Sequence, residues 1–328
     1  MITTRTPVRL PLGGGGTDLP FFYPKYGGFL ITAAIDKYIY TSLNERPFRN
    51  EFRIAYSKTE NVPSIDDIMN TRVREALKFM KINKFLDIST MAEVPSNTGM
   101  GSSSSFLIGL LRALHSYKRE YVDTRTLAEE ACEIEINILK EPIGKQDQYI
   151  AAYGGLQSLL INKQGGITIS PINISLDTIK ELEHNLHIFY TGIQRNATEV
   201  IKDQSKKALS NEQKMGYMKE IKNIGMEIKK CLETDNLKRF GEWMNIHWET
   251  KKKMSDKMSN PQIDKWYSYA LKNGALGGKI MGAGGGGFFV FYCDKNIPEF
   301  KKKIVASGLE YVPFRFDMDG SKILFDAK

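Results

Sequence analysis

Apolar residues recur along the chain with two different periods, and each period predicts one kind of element. Leu127, Ala131, Ile134 and Ile138 follow one another at spacings of four, three and four, which predicts a helix over residues 124–140. Runs of apolar and β-branched residues predict strands instead. Further helices are predicted at residues 64–81, 102–117, 197–208, 211–232, 236–254, 261–272 and 298–307, and strands at 29–43, 51–57, 88–94, 154–161, 167–169, 186–190 and 288–292.

The predicted strands and helices do not alternate strictly, which is typical of an α+β fold. A polar connection near residues 171–185 separates two segments, each long enough for a domain of ordinary size. We therefore expect an N-terminal domain over residues 1–170 and a C-terminal domain over residues 186–328, with the last strands able to return to the first domain.

Composition is that of a soluble globular protein, with 41% hydrophobic and 26% charged residues. No apolar run approaches the roughly 18 residues that a membrane span needs, and the first residues lack the pattern of a secretory signal. The three cysteines, Cys132, Cys231 and Cys293, are far apart in the sequence, which fits buried thiols in a reducing compartment better than disulfides. We expect a cytoplasmic protein that does not bind membranes.

A formal net charge of +8 arises mainly from lysine runs in the second half, such as residues 206–207, 251–253 and 301–303. Such runs usually form solvated helix faces, and they also attract anionic ligands such as ATP or a sugar phosphate. Charge alone would allow RNA binding, but no zinc-finger, RNP or basic-zipper pattern accompanies it, so no nucleic-acid partner is expected. The four histidines lack metal-ligand spacing and are interpreted as structural or surface residues.

The most informative segment lies between a predicted strand and a predicted helix, at residues 94–105. Gly99 and Gly101 allow the backbone to turn tightly, and four serines then occupy a helix N-terminus, where free N–H groups favour an anion. One serine would suffice to cap a helix. We therefore expect phosphate binding by Pro95, Ser96, Asn97, Thr98, Gly99, Met100, Gly101, Ser102, Ser103, Ser104 and Ser105.

No Lys-Ser or Lys-Thr pair follows these glycines, so the segment is not a Walker A loop. The phosphates would then be neutralised by Mg²⁺, by backbone N–H groups and by basic residues from elsewhere in the chain.

Two other segments are rich in glycine. Residues 282–287 match G-x-G-x-x-G, but the glycines precede a predicted strand, whereas a dinucleotide site needs them after one. Residues 13–16 are four glycines followed by Thr17 and Asp18, whose oxygens suit sugar hydroxyls, and Arg9 lies just before them as a candidate anion contact. A flexible turn and a hairpin loop, respectively, are the alternative interpretations.

Together, in this order, the three segments resemble those of the GHMP kinase superfamily, and the resemblance covers essentially the whole chain. Residues 94–105 resemble its phosphate loop, P-x-x-x-G-[LM]-G-S-S, and residues 279–288 resemble its C-terminal glycine motif. Residues 7–20 are unlike the equivalent galactokinase segment. They are similar to that of bacterial heptose 7-phosphate kinases and, more distantly, to that of fucokinases. Residues 190–202 also fit the heptose kinase subgroup.

The resemblance implies a two-domain kinase whose active site lies in the interdomain cleft, with ATP as co-substrate and Mg²⁺ as cofactor. Residues 144–149 resemble the G-x-x-D-Q segment of such kinases, which implies that Asp147 is the catalytic carboxylate. Lys145 would lower the Asp147 pKa or contact a phosphate, and whether Asp147 acts as a base or orients the acceptor stays open. Glu135 matches the family's Mg²⁺ ligand, with Ser102 as a second ligand, whereas Glu133 should be solvated.

The implied reaction transfers the γ-phosphate of ATP to the anomeric hydroxyl of a heptose 7-phosphate. A kinase of another sugar such as fucose, a non-catalytic sugar or nucleotide sensor, and an RNA-binding protein are the alternatives, and monomer or homodimer stays open. Arg195 and Lys202, or else Arg9 or Lys25, would bind the distal phosphate. The expected acceptor-binding residues are Arg9, Gly14, Gly15, Gly16, Thr17, Asp18, Asp147, Thr191, Gly192, Arg195, Lys202, Gly284 and Gly285.

Overall fold

A computed structural model describes residues 1–194 and 197–327. Its strands are β1 Ile2–Gly13, β2 Gly28–Glu45, β3 Phe52–Ala55, β4 Thr59–Val62, β5 Leu86–Ala92, β6 Leu156–Ile161, β7 Ile167–Pro171, β8 Leu186–Tyr190, β9 Gly277–Ile280, β10 Phe288–Tyr292, β11 Glu310–Val312 and β12 Lys322–Asp326. Its helices are α1 Tyr23–Tyr26, α2 Thr71–Phe79, α3 Ser102–Lys118, α4 Thr124–Cys132, α5 Gln146–Tyr153, α6 Leu176–Asn185, α7 Ala197–Ser210, α8 Glu212–Glu233, α9 Leu237–Lys252, α10 Pro261–Lys272 and α11 Ile297–Ala306.

An eight-stranded sheet is built around the long antiparallel pair β1 and β2, in the order β12-β1-β2-β5-β3-β4. The first part of β2 pairs with β6 and the second part pairs with β5, so one strand connects two parts of the sheet. Helix α3 packs against β1 and β2, and α8 also packs against both strands. The first eight residues of β2 are accordingly all buried and apolar or small, as a strand covered on two faces requires.

A second sheet of four antiparallel strands has the order β11-β8-β10-β9. All five residues of β10 are buried, and its aromatic side chains pack with residues of α9, α10 and α11. One apolar core contains residues of both sheets, including Leu10 of β1 and Ile188 of β8. Strand β12 pairs with β1, so the end of the described chain joins the first sheet.

Several elements lie where none was expected, and α6, β1 and α5 are three of them. Helix α6 occupies the predicted polar connection, and the Ser175 hydroxyl accepts a hydrogen bond from the Thr178 N–H at its start. Strand β1 contains the residues that precede the glycines of residues 13–16. Helix α5 begins at Gln146, so Asp147 lies in the first turn of a helix rather than on a connecting turn.

The predicted helix over residues 124–140 changes its hydrogen bonding halfway. After α4 the segment Glu133–Ile138 is a π-helix, in which the Leu139 N–H donates to the Ile134 carbonyl five residues earlier. The wider turn moves later side chains around the axis. Ile138, the last residue of the apolar face, is accordingly 42% exposed, whereas Ile134 is buried, and Glu133 is exposed as expected.

Candidate active site

The glycine- and serine-rich loop leads directly into α3, as the sequence predicts. Gly101 is the N-cap residue with φ near +76°, a conformation that favours glycine, and no side chain caps the helix there. The Ser102 and Ser103 hydroxyls lie at the walls of neighbouring cavities. The first N–H groups of α3 lack intrahelical partners, so this end of the helix can bind an anion.

Not all of the loop faces the cavities. The Ser105 hydroxyl donates to the Pro7 carbonyl at 2.8 Å, the Thr98 hydroxyl donates to the Pro95 carbonyl at 2.7 Å, and Met100 is buried in the core. These contacts fix the loop. Of the eleven residues predicted to bind phosphates, the structure places Ser96, Asn97, Gly99, Gly101, Ser102, Ser103 and Ser104 at cavity walls.

Asp147 is held against the loop by Arg9 of β1. The Arg9 Nε and Nη2 atoms donate to the two carboxylate oxygens at 2.8 and 3.2 Å, and Nη1 donates to the Gly99 carbonyl. A β-carbon on Gly101 would lie 2.9 Å from an Asp147 oxygen, so only glycine allows this approach. The two-point contact orients the carboxylate, and Arg9 therefore positions Asp147 in this structure rather than lying free for an anionic ligand.

Glu135 is fully buried within a network of donors. One carboxylate oxygen accepts from Arg72 Nε at 2.7 Å, and the other accepts from the Ser104 hydroxyl at 2.7 Å and from Gln148 Nε2 at 2.6 Å. A buried carboxylate needs such partners to remain charged. Arg72 also lies 3.6 Å from Glu141, so α2 contributes a cation to the same cluster.

The oxygen atoms at this cluster are of the kind that coordinates a magnesium ion. An ionised carboxylate offers about four lone-pair sites, and three on Glu135 are occupied, which leaves one on the oxygen that faces Arg72. Ser102 and Asp147 line the same cavity as Glu135. Mg²⁺ commonly takes one or two protein oxygens and fills its other positions with water and substrate phosphates.

Asp18 lies beneath the start of α5. Its carboxylate accepts a hydrogen bond of 3.0 Å from the Gln146 N–H, and a β-carbon on Gly144 would lie only 1.9 Å from one of its oxygens. Burial raises the pKa of Asp18, and the Asp147 charge acts in the same direction, while the Gln146 N–H opposes both.

Three adjoining cavities meet at these residues. The Asp18 cavity, of about 690 Å³, is lined by Gly15, Gly16, Asp18 and the second-domain residues described below. The serine cavity, of about 830 Å³, is lined by the loop and Glu135. Arg9 and Asp147 line both. The Tyr56 cavity, of about 980 Å³, adjoins the serine cavity at Ser102, Ser103 and Arg72 and has aromatic and apolar walls.

The second domain contributes three basic residues to the Asp18 cavity, which we call the cationic wall: His247 and Lys251 of α9 and Lys279 of β9. All three residues are buried, with 1%, 7% and 2% exposure respectively. The expectation that residues 251–253 form a solvated helix face is therefore wrong for Lys251, whose ammonium donates to the Gly282 carbonyl at 2.5 Å.

Several residues predicted for the site lie elsewhere. Lys145 donates to the Gly165 carbonyl at 2.7 Å and lines a different cavity, which argues against its predicted contact with the site. Lys202 and Lys25 are exposed, and neither lines the three cavities. Arg195 lies outside the described residues.

The predicted site residues in the other two glycine-rich segments and near Thr191 fall into two groups, those that line the cavities and those that do not. Thr17 donates to the Gly14 and Phe29 carbonyls, and Thr191 donates to the Gly287 carbonyl, so both hydroxyls fix the backbone. The walls of the three cavities do not include Gly14, Thr17, Thr191, Gly192, Gly284 or Gly285. Gly284 and Gly285 lie against Met258, and the neighbouring Gly282 and Ala283 line the site instead.

Sequence inspection missed Arg72 and the cationic wall. Arg72 could not be found because its partner Glu135 is 63 residues away. Lys279 carried a usable signal, because it is a charged residue that lies between two glycines and the apolar pair Ile280 and Met281.

Comparisons with known proteins agree with this arrangement. Residues 70–155 match the family described as GHMP kinases N terminal domain, and residues 228–308 match GHMP kinases C terminal. A Campylobacter jejuni protein named D-glycero-alpha-D-manno-heptose 7-phosphate kinase is 30% identical over 98% of both chains. A Bacteroides fragilis L-fucokinase/L-fucose-1-P guanylyltransferase is 23% identical over 87% of this chain and 34% of its own length.

A solved structure shares the fold over the full length. The crystal structure of a D-glycero-D-manno-heptose 1-phosphate kinase from Bacteroides thetaiotaomicron superposes with a TM-score of 0.83, covers 100% of both chains and is 22% identical. Among the residues that the structure describes, no helix is long and apolar enough to cross a bilayer. On the family matches and the full-length relative, this chain belongs to the GHMP kinase family of ATP-dependent phosphotransferases.

Proposed function

We propose that this kinase transfers the γ-phosphate of ATP, with Mg²⁺, to the anomeric hydroxyl of D-glycero-D-manno-heptose 7-phosphate. The observation that carries the proposal is the position of Asp147, which lies on the wall shared by the serine cavity and the Asp18 cavity. A phosphoryl donor in one cavity and a hydroxyl acceptor in the other would meet at this carboxylate.

ATP fits the serine cavity and its neighbour by chemistry. The N–H groups at the start of α3, with the Ser102 and Ser103 hydroxyls, would bind the phosphates. Tyr56 and Phe106 line the adjoining Tyr56 cavity and offer aromatic surface to the base. Arg72 lines both cavities and would lie close to the phosphate chain.

Glu135 and Ser102 are the residues that would hold Mg²⁺. The ion would neutralise part of the charge on the transferring phosphoryl group. Glu135 itself is fixed by Arg72, Ser104 and Gln148, so its remaining lone pair would point in a set direction.

Asp147 would accept a hydrogen bond from the attacking hydroxyl, either to orient it or to receive its proton. The two hydrogen bonds from Arg9 hold the carboxylate in one orientation before the acceptor arrives. Asp18, in the same cavity, would bind other hydroxyls of the sugar. The heptose assignment follows the name of the Campylobacter relative, and the Bacteroides structure carries a different phosphate position in its title.

A panel of acceptors tests the proposal. ADP release is followed with D-glycero-D-manno-heptose 7-phosphate, the free heptose, fucose and mannose, with Asp147→Asn as the matched inactive variant, and phosphorus NMR locates the new phosphate. We expect turnover to be fastest with the heptose 7-phosphate and the product to be a 1,7-bisphosphate. Fastest turnover with fucose would transfer the assignment to a fucokinase, and ATP binding without turnover of any acceptor would indicate a sensor.

A further inference from the structure

The residues of the cationic wall are buried, and burying a charged side chain costs free energy. His247, Lys251 and Lys279 line a cavity whose other polar groups are Arg9, Asp18 and Asp147 together with backbone and amide groups. Long basic side chains are almost never this buried unless they are paired. Lys251 donates to the Gly282 carbonyl, so the burial of Lys279 and His247 is what ordinary packing does not explain.

Two members of the wall lack a partner for their polar atoms within the part of the chain that the structure describes. Neither ring nitrogen of His247 has a hydrogen-bond partner. No hydrogen bond or ion pair of the Lys279 ammonium occurs among residues 1–194 and 197–327, and its charged neighbours are the cations Lys251 and Arg9. Of the two carboxylates of the cavity, Asp147 is already engaged by Arg9, and Asp18 accepts from the Gln146 N–H.

The free protein therefore disfavours charge at this wall. Burial holds the pKa of Lys279 well below its usual value, and the Lys251 and Arg9 charges act in the same direction. Burial lowers the pKa of His247 in the same way, with Lys279 and Lys251 adding to the effect. An anion entering the cavity would oppose both shifts, because it stabilises the charged form of each group.

We propose that Lys279, His247 and Lys251 form the binding site for the phosphate monoester that the acceptor sugar already carries. This inference rests on the proposed function, because it assumes that the acceptor occupies the Asp18 cavity. It replaces the exposed Lys202 and Lys25 as candidates with three buried groups that face one cavity. A dianionic phosphate has enough oxygen acceptors to engage several donors at once.

The phosphates of ATP are the other phosphate groups that such a site would bind. The geometry favours the acceptor because none of the three basic residues lines the serine cavity, where the loop and the start of α3 lie. All three line the cavity that contains Asp18, Gly15 and Gly16. The two sources are distinguished below by measuring each ligand separately.

Binding in the absence of ATP tests the inference without requiring turnover. Calorimetry compares D-glycero-D-manno-heptose 7-phosphate with free D-glycero-D-manno-heptose, using wild type, Lys279→Met and the control Lys238→Met, which removes an exposed lysine from the same helix as His247 and Lys251. We expect Lys279→Met to weaken binding of the phosphorylated sugar about 10- to 100-fold, the range for a lost charged hydrogen bond. Binding of the free sugar and of ATP should change less than about twofold.

Proton uptake gives a second measurement that a merely structural role would not affect. If the phosphate restores the charge of Lys279 or His247, binding takes up protons near pH 8, and the apparent enthalpy then differs between HEPES and Tris buffers. The other titratable and charged groups at the cavity, Arg9, Asp18, Asp147, His247 and Lys251, remain in the Lys279→Met variant, so the difference between wild type and variant isolates the contribution of Lys279. We expect the uptake to fall in Lys279→Met and to persist in Lys238→Met.

The outcomes separate this inference from the proposed function. Equal wild-type affinity for the two sugars, or a Lys279→Met variant that weakens ATP binding instead, would overturn the inference while leaving a sugar kinase. Phosphate-dependent binding without any ADP release would support the wall as a phosphate site and overturn the kinase proposal. Circular dichroism and a thermal melt of Lys279→Met confirm that the variant is folded before either result is interpreted.

Discussion

The first domain and the second domain contribute buried charges to the same cleft in different ways. On the first-domain side, Asp147 is paired with Arg9 and Glu135 with Arg72, and hydroxyl and amide donors complete the Glu135 network. On the second-domain side, the charged neighbours of Lys279 among the described residues are the cations Lys251 and Arg9. Paired charges already have fixed orientations before a ligand binds. A buried cation without a counter-charge destabilises the free protein, and a bound anion would reduce that destabilisation.

This difference indicates that the two sides of the cleft have different roles. On the first-domain side Asp147 and Glu135 each have fixed donors, and such preorganisation suits a group that must meet a transferring phosphoryl group in one orientation. On the second-domain side an anionic ligand would supply a counter-charge to Lys279, which suits selection of a phosphorylated acceptor. The predictions below test this division.

The largest effect is expected from Asp147→Asn. The amide keeps the size of the side chain but loses its charge and its capacity to accept a proton, so kcat should fall about 10²- to 10⁴-fold. ATP affinity should change little, because the loop and the start of α3 are untouched. Steady-state ADP release and equilibrium nucleotide binding measure the two quantities. The exposed Asp177→Asn on α6 is the matched control, and near-normal turnover by Asp147→Asn would remove this carboxylate from the mechanism.

Breaking the first-domain pair at Glu135 should destabilise the fold. Arg72→Met leaves a fully buried carboxylate without its cation, and the free energy of unfolding should fall by about 3 kcal/mol. Urea denaturation measures this change. Lys78→Met on the same helix removes a cation from an exposed ion pair and should have a much smaller effect. A double variant Arg72→Met/Glu135→Gln that does not recover stability would show that the pairing of charge is not the cause.

A feature of the fold or of the site could be predicted from the sequence where it depends on residues that are close together in the chain. The start of α3 and the turn at Gly101 were predictable because glycine and helix-start chemistry act within a few residues. Arg72 and Glu135 are 63 positions apart in the sequence and meet only after the chain has folded. Lys251 was misassigned because lysine runs look alike in sequence, while a helix turns each successive residue by about 100° and buries one of them.

Helix α5, which contains Asp147, could not be predicted for the same reason. Its sequence has a proline and a glycine just before it, which suggested a turn, yet α5 begins at once. The glycine is needed at that position for another reason, because the Asp18 carboxylate occupies the space of a side chain at Gly144. Such a contact between residues 18 and 144 cannot be read from either segment alone.

A smaller effect is expected from Gly144→Ala. The added methyl group would lie 1.9 Å from an Asp18 oxygen, so the carboxylate must move out of its present position. Overpacking of this kind typically costs about 1–3 kcal/mol. We expect weaker acceptor binding by roughly tenfold or more, measured as KM, with ATP binding retained. Gly216→Ala is the control, since nothing lies within 4 Å of a β-carbon at this exposed helical position.

The smallest change should come from Lys279→Met in the free protein, and its sign should be opposite to that of Arg72→Met. Methionine removes a buried, uncompensated cation, so the free energy of unfolding should rise by about 1 kcal/mol at neutral pH. Because the pKa of Lys279 is lowered in the folded state, the unfolded chain binds the extra proton and wild-type stability increases with pH.

The advantage of Lys279→Met should therefore shrink as pH rises toward about 10.4, the usual lysine value, and grow as pH falls. Arg9, His247 and Lys251 are present in both proteins, so their own titration largely cancels in the difference. Thermal or urea denaturation at pH 6 and pH 9 measures the trend. If Lys279→Met instead destabilised the protein as Arg72→Met does, Lys279 would have an unrecognised counter-charge, and the contrast between the two sides of the cleft would fail.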